Sequence, residues 1–101
     1  MTEVNNLDEL DGQPHANVFP DAEPKTVRLS LDAGDEVATH SHPDREIVFY
    51  LVDGAIELGL DGETHELTAG DVARFDGDQD IAPSAIEDST ALIVLANRAS
   101  D

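Results

Sequence analysis

The feature that most constrains this chain is a period-two alternation of apolar and polar residues, cut into short runs by turn residues. In residues 26–31, Val27, Leu29 and Leu31 share one side while Arg28 and Ser30 take the other, which is how a half-buried strand reads. Similar runs occupy 37–42, 55–60, 64–67, 72–75 and 91–96, and an unbroken apolar run at 47–52 reads as a strand buried on both faces. Asp61-Gly62 separates two such runs, and both residue types suit the positive φ of a tight hairpin turn. Pro43 closes the run before it, because proline has no N–H to donate to a ladder. Residues 76–80 read as a polar loop, and Pro83 as part of an irregular stretch. The runs return about every 8 to 12 residues with no amphipathic helix among them, so the chain reads as an all-β barrel or sandwich. Residues 1–25 lack sustained periodicity and read as an N-terminal arm with at most a short strand, near 16–19. Residues 26–101 form the barrel domain.

A chain of 101 residues has the size of one domain. Its charge narrows the choice of partners. Twenty-three acidic residues oppose five basic ones, for a net charge of −18, and Lys25 is the single lysine. Nucleic acid backbones and anionic membranes repel such a surface, and no helix-turn-helix pattern argues for DNA binding. The acids are interleaved with the apolar pattern, so disorder does not account for them. They suggest an acid-coated, halophilic protein whose counterions screen the self-repulsion. No run approaches the roughly 20 apolar residues of a membrane span, and the acidic start MTEVNNLDEL is unlike a secretory signal. The expected location is the cytoplasm. Without cysteine, thiol and disulfide chemistry are excluded.

Chemistry concentrates between Gly34 and Glu46. His40 and His42 are two apart, so in a strand they project to the same side. Neutral imidazole is the commonest protein metal ligand, and Glu46 follows after the turn at Pro43-Asp44-Arg45. Two imidazoles and a carboxylate with open positions suit Fe, Mn, Ni or Zn. The predicted metal ligands are therefore His40, His42 and Glu46.

These residues resemble the cupin superfamily. Its first motif is a glycine, five residues, His-x-His, three or four residues, Glu, and a glycine about six residues further. Gly34, His40, His42 and Glu46 match in place, and Gly54 arrives after seven intervening residues. The second motif begins at Gly70-Asp71, and ungapped counting puts Ile81 where the family has a histidine. The resemblance implies a cupin-type double-stranded β-helix, or jelly-roll barrel, over about 26–96. It also implies a divalent transition metal on the three ligands, with Ile81 making that side of the pocket apolar. Gln79 shares parity with Ile81 but is a poor ligand, and Asp80 would reach the interior only through a bulge.

Two functions follow. The first is a small metal-binding cupin acting on or sensing a small polar metabolite, with oxygenase or isomerase chemistry open to it. The alternative is a metal-free cupin serving as a small-molecule-binding or structural module, favoured by Ile81. A small-molecule ligand is the expected partner in both, and a homodimer through the arm or a sheet face is expected because Val18 and Phe19 lack an obvious place. The competing plain readings are a solvent-facing His40/His42 pair, His15 as an arm residue, His65 as a cross-strand neighbour, and Arg74 as a surface counter-charge. Parity alone does not decide whether Phe49 or Tyr50 faces the interior.

Overall fold

The computed structural model describes residues 2–97; Met1 and residues 98–101, the outer ends of the expected arm and barrel, lie outside the described residues. One 3-10 turn at Leu7–Glu9 precedes eight strands. These are β1 (His15–Asn17), β2 (Lys25–Leu31), β3 (Arg45–Asp53), β4 (Ala55–Leu60), β5 (Glu63–Thr68), β6 (Val72–Asp76), β7 (Ile81–Ala85) and β8 (Ser89–Asn97). They form a five-stranded sheet in the order β1-β2-β8-β3-β6 and a three-stranded sheet in the order β5-β4-β7, with antiparallel neighbours throughout. The fold is the expected all-β jelly roll. No helix among the described residues is long and apolar enough to cross a membrane.

Alternation places the core. Leu29 of β2, Ile47, Phe49 and Leu51 of β3, and Ile56 and Leu58 of β4 are fully buried between the sheets. At about 1.5–3 kcal/mol for each fully buried side chain of this size, these positions supply most of the drive to close the two sheets. Asp61 and Gly62 both take positive φ, 49° and 82°, at the β4–β5 hairpin, the conformation the sequence predicts there.

Three expectations change. The run at 47–52 is buried on one face only: Tyr50 and Val52 are exposed on the outer side, with Val72 of β6 in the same state. Pro83 lies inside β7 and pairs with Leu58 across the sheet. The expected strand at 37–42 is instead an extended stretch tied to β7 by isolated bridges, Glu36 to Ser84 and His40 to Ile81. One proline explains both of these latter outcomes. The carbonyl of Pro83 accepts from the Val37 N–H at 2.9 Å, but proline has no N–H to return the bond, so the ladder is interrupted between the bridges.

The segment before β1 lies over the outer side of β2. Arg28 is buried there; its guanidinium donates to the carbonyl oxygens of Leu7, at 3.1 Å, and Gly12. Its Nε has no partner. At the far end of the smaller sheet, β5 is an edge strand whose only buried residue is Leu67, and Glu63 and Glu66 are exposed along it.

Candidate functional site

A cavity of about 440 Å³ opens between the sheets, within the range typical of small-molecule sites. Its walls are apolar, with Ile47 and Phe49 from β3, Phe75 from β6, Ile81 from β7 and Leu95 from β8. Polar side chains sit toward its edge: His15 from β1, Lys25 from the start of β2, and His40 and His42 from the stretch before β3.

Backbone contacts position this edge. His40 exchanges two hydrogen bonds with Ile81, N–H to carbonyl at 3.0 Å and carbonyl from N–H at 2.7 Å, so an imidazole and a wall residue are fixed to one another. The His42 N–H donates to the Gly77 carbonyl at 2.7 Å, and the Gly77 N–H donates to the Arg45 carbonyl at 2.8 Å. The 76–80 loop thereby holds the turn that follows His42. The His40 and His42 rings meet edge to face with centroids 4.9 Å apart. Nδ1 of His40 lies 2.8 Å from the Ala38 carbonyl. A carbonyl oxygen only accepts, so Nδ1 donates and Nε2 is the acceptor of the neutral ring. Burial lowers the pKa of both His15 and His42 below the ordinary imidazole value. Positive neighbours, His40 first and then Lys25, lower both further.

The structure brings His40 and His42 together and sends Glu46 elsewhere. On β3, Ile47, Phe49 and Leu51 point inward, so Glu46 lies on the opposite side, where its Oε1 is 3.0 Å from Nε of Arg74 on β6. Arg74 is thus the counter-charge of the failed ligand. Ile47 takes the inward place instead, and it is also the residue that leaves six intervening residues before Gly54. Ile81, which stands where the family pattern has a histidine, also lines the cavity, so the apolar wall continues on that side.

The metal-binding reading is therefore corrected, and with it the divalent transition metal (Fe, Mn, Ni or Zn) expected on His40, His42 and Glu46. Among the described residues no group of three His, Cys, Asp or Glu side chains could hold a metal ion. The halophilic expectation is also withdrawn, since it rests on composition alone and neither the fold nor the relatives below supports it. His15 and Lys25 were missed as cavity residues. His15 and Asn17 alternate with buried Ala16 and Val18, which gives parity. What brings His15 to the cavity is the pairing of β1 with β2, His15 opposite Leu29, and no local pattern encodes that. His65 lies exposed on β5, opposite Leu58.

Known proteins agree with this fold. The KdgF protein from Halomonas sp. is 27% identical, with a TM-score of 0.72, over 86% of this chain and 80% of that one. A cupin protein from Bacteroides fragilis is 28% identical, with a TM-score of 0.69, over 76% and 68% of the two chains. A conserved protein of unknown function from Streptococcus pyogenes is 22% identical, with a TM-score of 0.76, over 99% and 91%. No curated protein matches the chain. The model of the cupin domain matches residues 27–96, and the chain belongs to the cupin domain family.

Proposed function

We propose that this protein binds a small molecule in the cavity between its sheets without the help of a metal. The observation that carries the reading is the cavity itself, with Ile47 and Ile81 lining it, Glu46 turned away from it and imidazoles gathered at the edge. Such a site suits a molecule with an apolar body and one polar end. The body displaces water from apolar walls, and the polar end exchanges hydrogen bonds with rings that both donate and accept.

The test is a metabolite screen by protein NMR in the presence of a chelator. Ligands should perturb the methyl signals of Ile47 and Ile81 and the ring signals of Phe49. Ile81→Trp, which fills the cavity, should remove the response. Perturbations confined to residues away from the cavity, or binding that disappears with chelation, would reject the reading. Homodimerisation remains part of the proposal, supported by Tyr50, Val52 and Val72 exposed on the outer face of the larger sheet. Sedimentation giving only a monomer mass across concentrations would remove it.

A further inference from the structure

We infer that the polar end of the bound molecule is an anion, so that the cavity selects an apolar monocarboxylate; this inference rests on the binding reading above. The first observation is a contrast of composition. Acids make up 23 of the 101 residues, yet among the described residues none of those lining this cavity is Asp or Glu. Every ionisable side chain at its edge is a base: His15, Lys25, His40 and His42.

The second observation is how the scarce cations are engaged. Arg28 donates to main-chain carbonyls of the arm. Arg45 pairs with Glu23 at 2.7 Å and also donates to the Leu95 carbonyl, and Arg74 pairs with Glu46. Among the described residues, Lys25 is the cation with neither an ion pair nor a side-chain hydrogen bond, and it is exposed at the cavity. Glu23, two residues away, feels the Lys25 charge, but its hydrogen bond and ion pair go to Arg45. The rings of His15 and His42 have no hydrogen-bond partner among the described residues, so each has an N–H to offer.

The third is electrostatic. Lys25 acts on both His15 and His42, and His42 also feels His40, Arg45 and His15. Positive potential converges on this edge within a molecule that is negative overall. A carboxylate there would meet an ammonium and imidazole N–H groups, with the hydrocarbon against Ile47, Phe49 and Ile81. A cationic ligand would bring its charge against the same bases. No covalent step is involved.

The experiment compares hexanoate, 1-hexanol and hexylamine, which share a hydrocarbon and differ in charge. Each is titrated into the isotope-labelled protein at molar KCl, where a Debye length of about 3 Å suppresses non-specific attraction of the amine to the acidic surface. Hexanoate should bind about tenfold more tightly than hexanol, the ratio supplied by a charge-assisted hydrogen bond at the weak end of its range. Lys25→Met should bring the two to parity by weakening hexanoate, and Lys25→Glu should favour the amine. Lys25 is exposed, and a preserved amide spectrum shows that each variant folds. Hexanol or hexylamine binding as tightly as hexanoate in the unaltered protein overturns the anion inference and leaves the binding site standing. If none of the three perturbs Ile47, Phe49 or Ile81, the binding reading falls and takes the inference with it.

Discussion

Gly77 occupies a place where no side chain fits. A Cβ there would run into the carbonyl oxygen of His42 and crowd that of Arg45. Gly77→Ala should therefore push the 76–80 loop away from the turn after His42 and cost about 1–3 kcal/mol, the usual range for overpacking. Thermal denaturation measures the cost, and the His42 ring signals should shift in the same variant. The imidazoles set a pH dependence whose sign follows from their lowered pKa values. The unfolded chain protonates them first, so stability should decline as pH falls through the ordinary imidazole value, about 6.5. The decline should level off below the folded values. The Glu23 carboxyl, lowered by its hydrogen bond to Arg45, loses its contribution only in the acidic range beneath. Denaturant midpoints in high salt between about pH 5 and 7 would show the slope, and His42→Asn should flatten it. Half of this site was legible in the sequence: His40 and His42 share parity wherever they lie in an extended stretch. Glu46 misled because the turn at 43–45 resets the parity. The seven-residue gap to Gly54 was the sign that Ile47, not Glu46, has the inward place.

At the level of elements, most strands could be read because alternation is local and Asp-Gly turns bound it. Those that escaped depend on distant partners. Pro83 looked like a breaker, yet β7 tolerates it because its missing N–H faces the stretch at 36–40, which needs no continuous ladder. The arm is the clearer case, since its attachment depends on a residue on another element. Arg28 stands on the polar side of β2 and would pass for a surface residue until Leu7 and Gly12 are placed over it. Arg28→Met removes donors to two carbonyls, and hydrogen bonds to charged groups contribute about 1.5–3 kcal/mol each at most. Hydrogen exchange should then accelerate in the arm and in β1 while the β2–β8 ladder keeps its protection. Because β1 carries His15 to the cavity, the same variant should weaken ligand binding. Loss of protection across both sheets at once would show instead that the arm is not a separate unit.

For the molecule as a whole, charge and size are of one scale. The described residues span 38 × 37 × 22 Å, so a Debye length of about 30 Å at 0.01 M salt lets most of the acids feel one another, whereas about 3 Å at 1 M does not. Melting temperature should rise between these conditions, since relief of even 1 kcal/mol moves a domain of this size by about 4–8 °C. A flat profile would mean that the folded arrangement already neutralises its acids. The sheet edge at β5 carries the same charge to a different end. Its exposed main chain is a template for another strand, and Glu63 and Glu66 stand along it. Replacing both carboxylates with neutral amides withdraws that guard from every molecule in solution together. Light scattering at neutral pH should show the Glu63→Gln, Glu66→Gln variant associating at a lower concentration than the unaltered protein. Colloidal behaviour of the protein would then be governed by two side chains on one rim strand.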